Sequence, residues 1–242
     1  MPHHRAYKIG PVKTPFIIKV LILIMIIASF ASAISSIYLK YDYISYFLSL
    51  SLIGIKKFFL WQLLTYAFLQ PGYGISIGFI AHLLFNMYIL WVIGSDVIAK
   101  SSKKDFLNVF FSSIIISGLI SLLTMYIGYP FYMHATTSVS VYAILIAWMM
   151  LSPQNTNIFL LQTTKIKIKW IVLSIVGFNL LINLSDNDFV KFFTYLSASL
   201  VSYFYFMIVY LKNGPFKKFH AFERKLMSKF KKPKMKKTKR KN

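Results

Sequence analysis

Apolar stretches of about helical length dominate this chain, and its charged residues lie almost entirely between them. Four of them are long enough to cross the hydrocarbon core of a bilayer, which takes roughly 20 residues of α-helix. The stretches are Val20 to Leu39, Ile75 to Ser95, Phe106 to Ile127, Thr136 to Leu151, Trp170 to Leu184 and Phe192 to Leu211. Of the 242 residues, 57% are hydrophobic, a larger share than a soluble domain can usually bury in its core. We therefore predict an all-α, polytopic membrane protein with six transmembrane helices.

The fourth and fifth stretches are shorter than the usual transmembrane range of about 17 to 25 residues. The fifth can be extended backward through Lys169 and Lys167, because long lysine stems reach up to the headgroups. The loop before Thr136 is uncharged and offers no such extension. We therefore expect the fourth helix to begin below the membrane surface and to rest on neighbouring helices.

Basic residues predict the orientation of the helices in the membrane. If both termini are cytosolic, 24 of the 28 Lys and Arg residues fall on the cytosolic side and 4 on the outer side. The positive-inside rule then gives an N-in, C-in topology. The first stretch is about twice as long as a signal-peptide core, so we expect a retained helix rather than a cleaved signal. With the short loops, this favours a bacterial inner membrane.

Composition divides the chain into a basic N-terminal segment (1–15), a membrane domain (16–211) and a basic tail (212–242). The formal charge of +22 belongs largely to the tail, which holds 14 of the 28 basic residues. Its apolar residues recur at helical spacing between lysines: Phe216, Phe219, Phe222, Leu226 and Phe230. This pattern predicts an amphipathic helix on anionic lipid headgroups, followed by a disordered end, "PKMKKTKRKN". Protein or nucleic-acid binding by the tail is the alternative, and nucleic acid is not the expected partner.

The loop between the first two long stretches (41–74) is too long for a simple connection. It contains "FFLWQLLTYAFL", a 12-residue apolar run that is too short to span a bilayer. We predict that this run lies in the outer interface or re-enters it, with Trp61 and Tyr66 at headgroup level. A surface segment without function is the other interpretation.

Polar residues at membrane depth mark the candidate site. His82 and Asn86 stand four residues apart, so they share one face of the second long helix and form a pair of donors suited to polarising a carbonyl oxygen. Ser138 lies near the start of the fourth stretch beside Thr137, and Tyr142 follows one turn later. The alternative for both sets of residues is a purely structural role, in which they form hydrogen bonds that stabilise the helices. The chain has no cysteine, and we predict neither a metal site nor a cofactor.

The order of these pieces resembles the rhomboid intramembrane serine proteases over roughly Trp61 to Tyr210. Rhomboids carry a His-x-x-x-Asn motif followed by a Trp and by a Gly with an acidic residue. The matching residues here are His82, Asn86, Trp91, Gly94 and Asp96. The connection "LSPQNTNIFLLQTTKIKIKWIVL" is also similar to that of many bacterial members.

The resemblance implies a six-helix bundle with a serine nucleophile in a Gly-x-Ser-Gly motif and a histidine base in an Ala-His-x-Gly-Gly motif. The first motif falls on residues 136–139, where Ser138 is kept while Thr136 and Val139 replace the glycines. The second falls on residues 194–198, where Tyr195 stands in place of the histidine. We expect the larger residues to crowd the helix packing and the oxyanion site.

An unperturbed tyrosine, with a pKa of about 10, is protonated at neutral pH and cannot accept the serine proton. The resemblance therefore implies a pseudoprotease that binds transmembrane helices of client proteins without cleaving them, with Tyr195 donating a hydrogen bond to Ser138. The alternative is an active protease whose base is His82, or His134 from an uncharged loop that we expect to be mobile. A transporter or channel is the third class, disfavoured because the stretches show no internal repeat.

Overall fold

The computed structural model describes residues 13–38, 43–70, 74–152, 157–160 and 164–230. Five helices in this part of the chain are long and apolar enough to cross a membrane. They are α1 (Phe16–Tyr38), α5 (Ile77–Lys100), α6 (Lys103–Gly128), α8 (Ile168–Ser185) and α9 (Phe189–Tyr210). A shorter apolar helix, α7 (Ser138–Leu151), lies in the chain between α6 and α8. Each of the six predicted stretches therefore contains a helix. Helix α8 begins at Ile168, so the expected backward extension includes Lys169 but not Lys167, which lies in a strand.

Helix α7 is the centre of the bundle. It packs against α5, α6, α8 and α9, and all of its residues except Trp148 are buried. A helix that is apolar and buried on every side has no face left for solvent or lipid. Its first residue, Ser138, is 1% exposed, so this end of α7 lies inside the protein.

Small hydroxyl residues mediate the close packing of α9 against its neighbours. Ser197 Oγ donates to Ser117 Oγ of α6 at 3.0 Å, and Ser202 Oγ donates to the Ala143 carbonyl of α7 at 2.6 Å. Small and hydroxylated residues allow helices to approach closely while hydrogen-bonding across the interface. Serines and the fully buried Ala198 thus lie on the face of α9 that meets α6 and α7, while the crowding expected from Thr136 and Val139 stays a prediction.

Asp105 joins the start of α6 to the end of α9. Its carboxylate accepts hydrogen bonds from the phenols of Tyr205 and Tyr210, each at 2.7 Å, and from Ser102 Oγ at 2.6 Å. Ser102 also caps α6 by accepting from the Asp105 backbone N–H. The two helices that flank α7 are thus tied together at one end of the bundle.

The segment before α5 forms three short helices, α2 (Tyr43–Leu48), α3 (Leu52–Lys56) and α4 (Gln62–Thr65), followed by a 3-10 turn (Tyr66–Phe68). Gln62 is fully buried and holds this segment together. Its Oε1 accepts from the Ser51 N–H at 3.2 Å, and its Nε2 donates to the Tyr46 carbonyl at 2.9 Å.

The predicted headgroup position of Tyr66 is wrong. This side chain is fully buried, and its hydroxyl donates to the Ile114 carbonyl of α6 at 2.8 Å. Trp61, in contrast, is 47% exposed, and its ring N–H donates to the Phe47 carbonyl. The segment is thus anchored in the bundle by Tyr66. The apolar pattern of the sequence alone does not show that Tyr66 is buried while Trp61 is exposed.

The connection between α7 and α8 departs from the all-α prediction. It contains a two-stranded antiparallel hairpin, β1 (Asn157–Leu160) and β2 (Thr164–Lys167), with Asn157 opposite Lys167. The sequence "TKIKIK" alternates apolar and charged residues with the period of a strand. That alternation predicts a strand here, although the long apolar stretches on both sides of it are helical.

Beyond α9 a 3-10 turn (Lys217–Phe219) leads into α10 (His220–Phe230), at the position of the predicted amphipathic helix. Glu223 is buried and bonds to two groups outside α10: its carboxylate accepts from the Tyr203 phenol of α9 and from the Gly214 N–H. Phe219 and Phe222 are exposed. The disordered end predicted for 233–242 lies outside the described residues.

We expect Gly54→Ala to destabilise the fold, because a Cβ at this position would overlap the side-chain amide of Gln62. Overpacking of this kind costs about 1–3 kcal/mol. Gly177→Ala is the matched control, since a Cβ there meets no atom within 4 Å and alanine favours a helix interior. Thermal melting in detergent should show a lower Tm for Gly54→Ala and an equal or higher Tm for Gly177→Ala. Equal melting of both variants would contradict the Gln62 contact.

Candidate active site

Three membrane helices and one loop residue bring the candidate side chains together. His82 and Asn86 project from one face of α5, Ser138 is the first residue of α7, and Tyr195 lies in the second turn of α9. The fourth contributor is Gln70, which follows the 3-10 turn before α5. Its backbone N–H donates to Ser29 Oγ of α1 at 2.9 Å, which fixes the position of this residue.

Five side chains close into a hydrogen-bonded ring, which we call the polar ring. Its members are Gln70, His82, Ser138, Asn86 and Thr137. His82 Nε2 lies 3.0 Å from Ser138 Oγ, and Asn86 Nδ2 donates to Ser138 Oγ at 3.1 Å. Except for the half-buried His82, every member is at most 5% exposed. Buried polar groups at this depth are stable only when they pair with one another, and the ring provides that pairing.

Gln70 completes the ring on the side away from the serine. Its Nε2 lies 2.9 Å from His82 Nδ1, and its Oε1 accepts a hydrogen bond from Thr137 Oγ1 at 2.9 Å. Asn86 Nδ2 donates to the same threonine hydroxyl at 2.7 Å. Gln70 could not be recognised as a site residue from the sequence, because it comes from a loop and has no periodic relation to the helix that carries His82.

A second group of contacts surrounds the backbone of the serine. The Ser138 N–H donates to Thr136 Oγ1 at 3.2 Å, and the same hydroxyl lies 2.9 Å from the Tyr195 hydroxyl. The Ser138 side chain is also a hydrogen-bonding neighbour of the Tyr195 phenol, and the bond that we expected Tyr195 to donate to Ser138 stays a prediction. The ring of Tyr142 contacts the ring of Tyr195 edge-on, with centroids 4.8 Å apart.

No group of three or more His, Asp or Glu side chains in the described part of the chain is placed to hold a metal ion. The functional groups that the site brings together are aliphatic hydroxyls, an imidazole, two carboxamides and a phenol. A serine within hydrogen-bond reach of an imidazole is the geometry from which nucleophilic catalysis starts.

A comparison with protein-family models matched residues 57–212 to the Rhomboid domain. The chain belongs to the rhomboid family. It is an integral membrane protein, and its apolar helices contact the lipid bilayer. A comparison with curated proteins found no match.

In this rhomboid, the His134 side chain makes no hydrogen bond to Ser138. The expected mobility of its loop is wrong, because Leu50 and His134 exchange both backbone hydrogen bonds at 2.8 Å. Its ring is 1% exposed and lies against the rings of Tyr66 and Tyr132, with centroids 5.5 Å and 6.1 Å away. Neither ring nitrogen has a hydrogen-bond partner among the described residues. Burial lowers the pKa of His134 to about 3, so the ring is neutral.

Tyr132, whose ring lies against His134, is fixed by an ion pair at the start of α9. Asp188 pairs with Lys191 at 2.7 Å and accepts a hydrogen bond from the Tyr132 phenol at 2.7 Å. Burial acts to raise the pKa of the Asp188 carboxyl, but the bonds from Lys191 and Tyr132 outweigh it and hold that pKa below its usual value. The negative charge fixes Tyr132 against the histidine ring.

We expect His134→Phe to stabilise this rhomboid, because it removes two buried nitrogens that lack partners while keeping a ring between Tyr66 and Tyr132. Below pH 6.5 the unfolded chain binds a proton at His134 that the folded chain rejects down to about pH 3. Stability therefore falls as pH falls, by up to about 1.4 kcal/mol per unit from this residue.

Melting temperatures of the wild type and His134→Phe in detergent, measured from pH 7 to pH 5, test this expectation. The difference between the two proteins should widen toward pH 5, because phenylalanine does not titrate. A constant difference over that range would contradict a buried neutral His134.

Proposed function

We propose that this rhomboid is a pseudoprotease that binds transmembrane helices of client proteins without cleaving them. The observation that carries the proposal is the hydrogen bond from the Ser138 N–H to Thr136 Oγ1, with the Tyr195 hydroxyl on the same oxygen. It combines the two departures from the family motifs, Thr136 for a glycine and Tyr195 for the histidine, in one set of contacts. Each departure removes one requirement of peptide hydrolysis.

The first requirement is a base for the serine. A neutral phenol carries its proton at neutral pH, so Tyr195 has no means of activating Ser138. In other serine proteases, removal of the catalytic histidine lowers turnover by a factor on the order of 10⁶. Tyr195 is buried between Thr136 and the ring of Tyr142, and its contacts are those of a structural residue.

The second requirement is a set of free donors for the oxyanion. Backbone N–H groups near the nucleophile commonly supply such donors, and losing a single donor costs about 10²–10³ in turnover. Here the Ser138 N–H already has an acceptor in Thr136, and Asn86 Nδ2 is shared between Thr137 and Ser138. A substrate carbonyl would have to break these bonds before it gained any stabilisation.

Client binding follows from the family scaffold, and the surface of α8 supports it. The outer face of α8 carries Phe178 and Leu181, which are 69% and 65% exposed, and a Cβ at Gly177 would meet no atom within 4 Å. An apolar face with a small residue next to large ones suits the approach of another membrane helix. We place the client helix against this face.

One observation favours an active intramembrane protease as the second candidate. The 3.0 Å separation of His82 Nε2 and Ser138 Oγ lies within the range for a nucleophile and its base, about 2.6–3.2 Å. In this alternative His82 takes the serine proton. His134 is a weaker choice of base because its nitrogens make no contact with the site.

Fluorophosphonate labelling of purified protein separates the two candidates. We expect no labelling of the wild type under conditions that label an active rhomboid, because Ser138 lacks a base and a free oxyanion site. Ser138→Ala is the control for labelling at the serine, and Ser140→Ala controls for loss of a neighbouring hydroxyl. Wild-type labelling that disappears in Ser138→Ala and persists in Ser140→Ala would overturn the pseudoprotease proposal.

We also propose that the six apolar helices all cross the membrane, with both termini in the cytosol of a bacterium. Helix α7, at 14 residues, is about 21 Å long at 1.5 Å per residue, shorter than the roughly 30 Å hydrocarbon core. Its full burial among other helices supports a start below the membrane surface. The basic residues around α10 then face the cytosolic leaflet.

The tail is proposed to lie on anionic headgroups of that leaflet. Glu223, the one acidic residue after Tyr210, is turned inward onto Tyr203 and Gly214. The outward side of α10 and its preceding turn therefore presents Phe219, Phe222 and basic side chains such as Arg224 and Lys225. Exposed aromatic rings among positive charges match an anionic interface.

The absence of native cysteine makes single-cysteine labelling a clean test of orientation. Phe131→Cys, at an exposed site before α7, should react with a membrane-impermeant maleimide in intact spheroplasts. Ala221→Cys, exposed on α10, should react only after lysis. The opposite pattern would overturn the proposed topology.

The same Ala221→Cys protein, carrying a polarity-sensitive dye, tests the tail. In nanodiscs, its emission should shift to shorter wavelength when neutral lipid is replaced by anionic lipid, and added salt should reverse the shift. Identical spectra in both lipids would contradict headgroup binding while leaving the orientation result intact.

A further inference from the structure

We infer that Gln70 is a positioning residue that holds His82 as a hydrogen-bond donor toward Ser138 and thereby keeps the serine inert. The inference rests on the proposed pseudoprotease function and explains why an imidazole 3.0 Å from a serine does not act as its base. It is carried by the direction of the hydrogen bonds around the polar ring.

The direction begins at the Gln70 carboxamide. Its Nε2, a donor without acceptor capacity, lies 2.9 Å from His82 Nδ1, so Nδ1 accepts. A neutral imidazole with an accepting Nδ1 carries its proton on Nε2. His82 Nε2 therefore donates to Ser138 Oγ and has no lone pair with which to receive the serine proton.

The rest of the ring agrees with this direction. Asn86 Nδ2 donates one hydrogen bond to Thr137 Oγ1 and one to Ser138 Oγ, and Thr137 Oγ1 donates a hydrogen bond to Gln70 Oε1. All five contacts of the ring are then hydrogen bonds with one donor and one acceptor each. Ser138 Oγ accepts from both His82 and Asn86, so both of its lone pairs are occupied.

Reversing the direction loses hydrogen bonds. If both carboxamides turned over, Gln70 would donate to Thr137, Thr137 would donate to Asn86, and His82 Nδ1 would donate to Gln70. Asn86 Oδ1 and His82 Nε2 would then both require the single proton of Ser138. One of these two contacts would become an unfavourable contact between two acceptors. Turning Gln70 alone would leave the fully buried Thr137 hydroxyl without an acceptor in the ring. In the direction described above, the hydroxyl without a ring acceptor is that of Ser138, and this hydroxyl has the Tyr195 phenol as a side-chain hydrogen-bonding neighbour outside the ring.

A carboxylate at position 70 would reverse the imidazole. Both oxygens of the side chain in Gln70→Glu accept, so His82 Nδ1 must carry the proton and Nε2 must present its lone pair to Ser138 Oγ. This is the arrangement in which an acidic residue orients a histidine toward a serine nucleophile. Thr137 keeps an acceptor in the substituted side chain, so the rest of the ring is preserved.

The reaction to be measured is phosphonylation of Ser138 by a fluorophosphonate. The Ser138 hydroxyl proton moves to His82 Nε2 while Oγ forms a bond to phosphorus, and the phosphorus–fluorine bond breaks to release fluoride. The imidazolium formed is stabilised by the carboxylate. General-base assistance typically contributes 10²–10⁴-fold, so we expect the labelling rate of Gln70→Glu to exceed the background measured with the unlabelled wild type by on the order of 10²-fold.

The experiment compares the wild type, Gln70→Glu, Gln70→Met and Gln70→Glu/Ser138→Ala in detergent. Gln70→Met is the matched control, because it keeps the length of the side chain but has no carboxylate to orient His82. Labelling should rise in Gln70→Glu alone and vanish in the double variant. Histidine ¹⁵N spectra, with His82 assigned by loss of its signals in His82→Gln, should show Nε2–H in the wild type and Nδ1–H in Gln70→Glu.

The outcomes are separable. Labelling of the wild type at Ser138 would overturn the proposed function itself. An unlabelled wild type whose His82 carries its proton on Nδ1 would overturn the role of Gln70 and leave the pseudoprotease proposal standing. A tautomer change in Gln70→Glu without faster labelling would also overturn it, since the imidazole would then not control the serine. The wild-type spectrum decides the matter even where Gln70→Glu fails to fold.

Discussion

Polar groups buried in a membrane protein must find their partners within the protein, and this constraint shapes the centre of the molecule. The polar ring satisfies it for five side chains contributed by α5, by Thr137 and Ser138 at the start of α7, and by the loop before α5. The position of α7 depends on that ring at its start and on the hydroxyl of Ser202 of α9 further along. Ser138 can therefore be kept for its hydrogen bonds, whatever its chemistry.

The same constraint makes the substitutions at positions 136 and 195 interdependent. Relative to the motifs that the resemblance implies, Thr136 adds a hydroxyl to a buried site, and Tyr195 contributes a second hydroxyl. The two hydroxyls bond to each other, and the Ser138 N–H uses the oxygen of Thr136. The pair is thus self-consistent as a structural unit, which supports a site adapted to stability rather than one that has lost a single residue.

Sequence patterns predict the parts of this fold that depend on local periodicity. Stretch length gives the membrane helices, and the four-residue spacing of His82 and Asn86 places both on the face that meets Ser138. The loop contributions were not predictable in this way, because burial of Tyr66, His134 and Gln70 is decided by tertiary contacts. Those residues lie in or beside short connecting segments, where neither the α-helical nor the strand period applies.

The buried contact of Glu223 with Tyr203 has a consequence for how the two ends of the molecule communicate. Tyr203 and Tyr195 belong to the same helix, eight residues or about 12 Å apart along its axis. The tail is therefore hydrogen-bonded to α9, the same continuous helix that carries Tyr195 beside Ser138. A displacement of the tail from the bundle would thus act on the helix that contacts the serine site.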